Sequence, residues 1–340
     1  MRAVPEATAK SRVFVTRALP GGSLERLRAE FELEVFRGPG APPRERLLAG
    51  VACAEGLLCL LSDRVDAELL AAAPRLRVVS SCSVGLDHVD LAAATARRIP
   101  VGHTPGVLTD TTAELAISLL LAAARRVVEA DRLVREGRWR EWSPDLMLGR
   151  DLSGATLGVI GLGAIGRAVA ERAQALGMRV LGWNRTPRTL PGVACVSLPE
   201  LLAGSDFVSV HLALTPETRG LLDAAALTRM RPGAVLVNVA RGGIVDETAL
   251  AEALVSGRLG GAALDVFERE PLPRTSPLLA APNLVLTPHI GSASVRTRIR
   301  MADLAAENLR AGLLGRPMPH CANPSVYEAQ RARNERGATT

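Results

Sequence analysis

The stretch Thr156-Leu-Gly-Val-Ile-Gly-Leu-Gly-Ala-Ile-Gly-Arg167 limits what this chain can become more than any other. A short apolar run leads into Gly161, Gly163 and Gly166, and a helical pattern begins at Ala164. Where a buried strand meets G-x-G-x-x-G at a helix start, each glycine has its own task. Gly161 permits the tight turn, Gly163 lets the backbone approach a pyrophosphate, and Gly166 lets helix and strand pack closely. The phosphates then rest on backbone N–H groups that the helix start leaves unpaired. A plain glycine turn would need no apolar run before it and no helix after it. Both are present, the helix carried by Ala168-Val-Ala170 and Ala173, so the pattern favours dinucleotide binding at Gly161, Gly163, Ala164, Ile165 and Gly166.

Around that motif, short apolar runs alternate with helical patterns. Val13-Phe-Val15, Leu33 to Phe36, Leu57 to Leu61 and Val78-Val79 read as strands, with helices near Leu24 to Ala29, Arg44 to Ala49 and from Asp66. Strands also follow the motif at Arg179 to Trp183, Asp206 to Val210, Ala234 to Val239, Ala262 to Val266 and Leu284 to Thr287. This rhythm predicts parallel sheets with helices on both faces, whose ligands gather at the carboxyl ends of the strands. Two early loops qualify, Leu61-Ser-Asp63 and Ser81 to Asp87; in the second, backbone N–H groups around Gly85 precede a helix expected to be capped by Asp87. Such a loop suits a carboxylate, and an ordinary strand-to-helix turn is the alternative.

Thr111 and Glu114 have capping-box spacing, and the helix after them is apolar nearly all round through Ala124. A helix without a polar face is buried, between domains or against another subunit. Gly137 to Pro144 should end it and sets Trp139 and Trp142 in an irregular segment, against a partner surface or over the chain's own core. The last helix, Ser294 to Leu314, is expected to return to the first domain, while residues 1–11 read as a loose arm and 328–340 as a fraying tail.

At 340 residues with 48% hydrophobic and 22% charged content, the chain has material for two cores. No signal-peptide pattern is visible, and the apolar stretch from Leu115 to Ala124 is too short to span a bilayer. Five scattered cysteines without C-x-x-C spacing suit reduced thiols in a cytoplasm and no metal site. A net charge of +6 carried by dispersed arginines, with 3% aromatics, argues against nucleic acid and for small anionic ligands.

The strand Arg179 to Trp183 should end in an acidic residue if the ribose of NAD is to be held. It ends instead in Asn184-Arg185-Thr186-Pro-Arg188, where two guanidiniums suit a 2′-phosphate. The expected cofactor is therefore NADP(H) before NAD(H), against the alternative of a solvated basic turn.

Three later strand ends carry the chemistry. Reduction of a 2-oxo acid needs a group for the carboxylate, a group to polarise the carbonyl and a proton for the nascent alkoxide. Arg241 can grip a carboxylate bidentately. His289 can supply the proton as an imidazolium, and since an unperturbed histidine titrates at about 6.5, a neighbouring carboxylate, Glu270, is expected to favour the charged form. Singly, each could be an ordinary surface residue; together at strand ends of a dinucleotide domain they make a set.

Val237 to Glu247, Leu264 to Pro271 and Thr287 to Ser292 resemble the signatures of the D-isomer-specific 2-hydroxyacid dehydrogenases. Gly56 to Asp63, Ser83 to His88 and Thr104 to Glu114 are more particularly similar to the glyoxylate/hydroxypyruvate reductase type, and the likeness runs from about Arg12 to Pro319. It implies two doubly wound parallel-sheet domains, a flavodoxin-like substrate domain at 1–103 with 292–330 and a Rossmann domain at 104–291, with the active site in the cleft between them. It also implies Arg241, Glu270 and His289 as catalytic residues, with Val84 and Gly85 as the carboxylate loop. Leu61, Ser292 and a neighbouring subunit's tryptophan, Trp142 before Trp139, would complete the substrate pocket. Thr112, Asn184, Arg185, Thr186, Val239, Asp265 and Gly291 would join the glycine loop around NADP, Asp265 on the nicotinamide side. A homodimer formed through the interdomain helix is implied too; His103 is given no role.

The activity so implied is NADPH-dependent reduction of glyoxylate and hydroxypyruvate. Lactate, 2-ketogluconate or phosphoglycerate dehydrogenases of the same family are alternatives, as is a dinucleotide-sensing corepressor of this fold. The arginines after Trp183 and the lack of long tails favour the reductase.

Overall fold

A computed structural model describes residues 10–328, which form two compact units, one from the N-terminal part through Leu108 with the chain from Ser294 onward, the other Thr109–Ala293. The expected arm and tail lie mostly outside the described residues. Lys10 and Ser11, counted in that arm, are fastened: Lys10 Nζ donates to the Ala29 carbonyl at 2.8 Å and Ser11 Oγ to Glu55 at 3.0 Å.

The first unit is a five-stranded parallel sheet of β1 (Arg12–Val15), β2 (Glu32–Val35), β3 (Gly56–Cys59), β4 (Val78–Ser81) and β5 (Val101–Gly102), in the order β2-β1-β3-β4-β5. Strands β3 and β4 are buried along their whole length, as parallel strands covered on both faces must be. Helices α1 (Ser23–Glu30), α2 (Arg44–Val51), α3 (Ala67–Ala72) and α4 (Leu91–Ala96) connect them. Asp66 caps α3 by accepting from Leu69 N–H, while α4 is capped by Asp90 and not by Asp87, because the chain makes a further turn after Asp87 before the helix begins. The sheet is completed from the far end of the chain. Helix α11 (Val295–Leu313) lays Ala306, Leu309 and Leu313 into one core cluster with Val13, Leu58 and Val78. Each such leucine contributes about 1.5–3 kcal/mol when fully buried.

The second unit opens with α5 (Thr109–Ala124). That helix starts before Thr111, so Thr111 and Glu114 lie within its first turns and form no capping box. Its small residues Ala113, Ala116, Ala123 and Ala124 are buried with Leu157, Val169 and Val237 of its own unit, which gives the apolar pattern an internal partner. The helix does not run on to Gly137. Arg126 adopts a left-handed conformation (φ +54°), and a second helix, α6 (Val127–Arg135), follows with no buried residue.

Seven parallel strands form the sheet: β6 (Thr156–Ile160), β7 (Arg179–Trp183), β8 (Val193–Cys195), β9 (Phe207–Val210), β10 (Val235–Asn238), β11 (Gly261–Leu264) and β12 (Leu284–Leu286), ordered β12-β11-β10-β9-β6-β7-β8. Helices α7 (Ala164–Ala175), α8 (Leu198–Gly204), α9 (Ala224–Arg229) and α10 (Glu247–Val255) link them. From β6 the chain winds outward to β8, then crosses to β9 on the other side. That reversal between β6 and β9 is the switch point where open α/β sheets leave a ligand crevice. Among the described residues no helix is long and apolar enough to cross a membrane.

Candidate active site

The glycine turn sits at that switch point, between β6 and α7. Gly161 has φ +99°, and a Cβ there would stand 2.6 Å from the carbonyl of His211, which directly follows the neighbouring strand β9. A Cβ on Gly166 would fall 1.9 Å from the Gly161 carbonyl, so α7 and its strand touch through backbone. Gly163 differs: a Cβ there would meet nothing within 4 Å, which leaves open backbone at the N-cap of α7. Two of the three glycines are demanded by the fold itself. Thr112 and Val239 are buried, while Ala164 and Ile165 retain exposure.

At the end of β7, Asn184 Oδ1 accepts the Leu162 N–H at 3.1 Å and its amide donates to the Thr186 carbonyl at 2.7 Å. The residue standing where a ribose-binding acid would be expected thus ties the strand end to the glycine turn. Arg188 reaches the Leu162 carbonyl at 3.4 Å. The Arg185 side chain is 76% exposed, and among the described residues its ion-pair contact is a distant one, 4.0 Å from Glu217. It is therefore available to an anion at the rim. The open Gly163 and the α7 start fit the phosphates of a dinucleotide.

Arg241, Glu270 and His289 follow β10, β11 and β12, three adjacent strands. Gly242 allows the first loop to press on the second, since a Cβ there would overlap the Phe267 carbonyl at 1.9 Å. His289 Nδ1 and Glu270 Oε2 are 2.7 Å apart. Carboxylate oxygen accepts, so Nδ1 carries the proton and Nε2 is left for other chemistry. Burial alone would raise the Glu270 carboxyl above its ordinary range. The His289 hydrogen bond and charge, the Phe267 N–H at 3.0 Å and the Arg241 charge reverse this and hold it below.

The carboxylate that fastens His289 was not foreseen in that role. Asp265 is fully buried, and its Oδ1 accepts from Thr287 Oγ1 (2.6 Å) and Ile290 N–H (2.8 Å) while Oδ2 accepts from Gly291 N–H (2.8 Å). These bonds clamp the turn in which His289 takes a left-handed φ of +54°. Burial raises the Asp265 carboxyl from its ordinary value against the pull of those donors. An acid closing an otherwise apolar buried strand was the available signal, because such a group must find donors. Glu247, at the start of α10, plays a similar part by accepting the Glu268 N–H at 2.6 Å.

In the first unit, the loop after β4 carries Val84 and Gly85, whose N–H groups donate to no group among the described residues. Leu61, half-buried, lies in the turn after β3. Asp63 fixes that turn by accepting from Leu60 N–H at 2.7 Å and Thr16 Oγ1 at 2.5 Å. Ser292 is half-buried beside the clamped turn. Trp142 and Trp139 are 77% and 54% exposed, and Trp142 makes no hydrogen bond among the described residues. The structure brings the Arg, Glu and His side chains together but joins neither tryptophan to them.

A family model described as D-isomer specific 2-hydroxyacid dehydrogenase, NAD binding domain, matches residues 117–291. A glyoxylate reductase of Korarchaeum cryptofilum is 48% identical over 326 residues, covering 94% of this chain and 98% of its own. The human glyoxylate reductase/hydroxypyruvate reductase is 48% identical over 316 residues, covering 91% and 96%. The solved NADPH-dependent glyoxylate/hydroxypyruvate reductase of Sinorhizobium meliloti, in complex with NADP and malonate, is 36% identical with a TM-score of 0.81 and covers 92% and 97%.

Proposed function

The chain belongs to the D-isomer-specific 2-hydroxyacid dehydrogenases, and from that premise we propose that it reduces small 2-oxo acids, glyoxylate to glycolate and hydroxypyruvate to D-glycerate, with NADPH preferred over NADH. The observation that carries this reading is the 2.7 Å pairing of His289 with Glu270 under the charge of Arg241, at the ends of three adjacent strands.

The glycine turn with Thr112, Asn184, Arg185, Thr186, Val239 and Gly291 would hold the dinucleotide, with Asp265 toward the nicotinamide; when bound, it supplies the hydride. Arg241 anchors the substrate carboxylate and polarises the carbonyl, and the amides of Val84 and Gly85 take carboxylate oxygen. Glu270 keeps the imidazole oriented by accepting from Nδ1–H, and Nε2 of His289 delivers the proton to the oxygen that becomes the hydroxyl. Leu61 and Ser292 limit the pocket to short side chains. Preference for NADPH rests on the missing acid at Asn184 and the exposed guanidinium of Arg185.

A homodimer belongs to the same reading. Val127, Val134, Trp139, Trp142 and Leu148 leave apolar surface exposed in one segment, and Trp142 is assigned to the neighbouring subunit's substrate. Sedimentation of the purified chain as a monomer would remove that part.

Loss of NADPH absorbance on adding glyoxylate or hydroxypyruvate tests the activity. Turnover with at least one of them is expected, and failure with both overturns the proposal.

A further inference from the structure

Three successive carbonyls in the loop after β4 are turned into the protein. Ser83 O accepts from Thr104 N–H at 2.8 Å, Val84 O pairs with His103 Nδ1 at 3.2 Å, and Gly85 O accepts from Ser83 Oγ at 2.8 Å. In a planar trans peptide the C=O and the following N–H point in opposite directions. Each bond therefore aims one N–H outward: Thr104 governs that of Val84, His103 that of Gly85, and Ser83 that of Leu86. Of the three donors, His103 alone is a long side chain whose tautomer must be right.

His103 also stands on a fixed base. Its N–H donates to the His320 carbonyl at 3.2 Å, and its own carbonyl accepts from Asn308 Nδ2 at 2.9 Å. Fully buried Asn308 closes the frame by accepting from His320 N–H at 3.0 Å. The two imidazoles meet edge to face, centroids 6.5 Å apart at 82°. Since a carbonyl oxygen only accepts, Nδ1 of His103 carries a proton.

We infer that His103 is a positioning residue for the substrate carboxylate: by holding the Val84 carbonyl inward it aims the Gly85 N–H at the anion. This rests on the assignment of Val84 and Gly85 to the carboxylate made above. No chemistry passes through His103, so its loss acts on substrate binding and leaves proton and hydride transfer alone.

Kinetics of His103→Phe, His103→Gln and His103→Asn test the inference against the unmodified enzyme. His103→Phe keeps the ring but loses the donor, and KM for glyoxylate is expected to rise about tenfold, the factor of one net hydrogen bond, with kcat and KM for NADPH little changed. His103→Asn places an amide N–H where Nδ1 stood and should restore KM to near the original value. His103→Gln places its amide at the Nε2 position and should not, which supplies the same comparison if the phenylalanine variant does not fold. An unchanged KM in His103→Phe or His103→Gln, an asparagine variant as impaired as these, or an equal fall in kcat overturns the inference. A second readout needs no turnover: long-range 1H–15N correlation of the imidazoles, with the His103 signals assigned by their loss in His103→Asn. A proton on Nδ1 is expected, and a neutral ring protonated at Nε2 overturns the clamp. Absence of any glyoxylate reduction by the unmodified protein would defeat the functional reading instead, with the tautomer still deciding the clamp.

Discussion

The loops at the carboxyl ends of the two sheets are fastened by different chemistry. After β4, hydroxyls, backbone and one imidazole hold three peptides, and what the loop offers a ligand is neutral N–H dipoles. After β10, β11 and β12 the fasteners are carboxylates: Glu270 holds the His289 imidazole, Asp265 the turn around it and Glu247 the Glu268 N–H, with the charge of Arg241 acting on Glu270. Dipoles fixed by the backbone can receive a carboxylate at any pH, with no charge of their own to desolvate. A proton donor needs a fixed tautomer, and here it is a carboxylate that fixes it. The first region should therefore set affinity without pH dependence, and the second should set rate with it.

Replacing His289, the proposed proton donor, breaks the contrast most strongly. His289→Asn is expected to lower kcat by about 10²- to 10⁴-fold, the usual worth of a positioned acid or base, with KM for glyoxylate changed far less. Steady-state kinetics on one preparation measure both, and a dominant effect on KM would refute the division of labour.

Glu270→Gln keeps an acceptor for Nδ1–H and removes the charge. The imidazole then loses a charged anchor, and kcat should fall about tenfold or more with KM for glyoxylate changed less, as read from steady-state kinetics. Stability should respond on the acid side. The folded-state pKa of Glu270 is lowered, so its pairing stabilises the fold above the ordinary carboxylate range and that contribution fades as pH falls through the lowered value. The glutamine variant should lack that part of the acid loss in thermal melts, and identical melting profiles from pH 7 downward would show that the pair does not support the fold.

What could be read from the sequence follows the same line between the two regions. Gly161, Gly163 and Gly166 are legible because a backbone demand leaves few residue types to meet it, and the acid missing at Asn184 is legible because a known position is filled by the wrong chemistry. Arg241, Glu270 and His289 could be named as a set because each lies just beyond the end of a different predicted strand. The pattern was silent where a group's partner is backbone distant in sequence. Asp265 clamping Ile290 and Gly291, Asn184 tied to Leu162 and His103 tied to Val84 are of this kind. Local register misled in three places: Asp87 and Asp90 are equally plausible caps three residues apart, the capping-box spacing of Thr111 and Glu114 falls inside a helix that begins at Thr109, and Arg126 interrupts a helical pattern that continues through it.

Arg185 tests charge at an exposed rim, where screening matters. Arg185→Asp should raise KM for NADPH about tenfold or more while KM for NADH changes little, and the discrimination between the two cofactors should shrink as salt is added. Equal losses with both cofactors would show that the guanidinium does not meet the 2′-phosphate.

The smallest effect is expected where the support is a single hydroxyl. Ser83 Oγ donates to the Gly85 carbonyl at 2.8 Å and lies 2.7 Å from Ser81 Oγ, so Ser83→Ala frees one peptide of the loop while Thr104 and His103 still hold the other two. A net hydrogen bond is worth about 0.5–1.5 kcal/mol, and only part of it reaches a ligand bound through neighbouring peptides, so KM for glyoxylate should rise by about three- to fivefold with kcat unchanged. Because neither the lost donor nor its acceptor titrates near neutrality, the ratio of mutant to unmodified KM should be flat between pH 6 and 9. A ratio that varies with pH would mean that the amide loop is coupled to a titrating group after all, and the separation between a neutral binding loop and a charged catalytic set would fail.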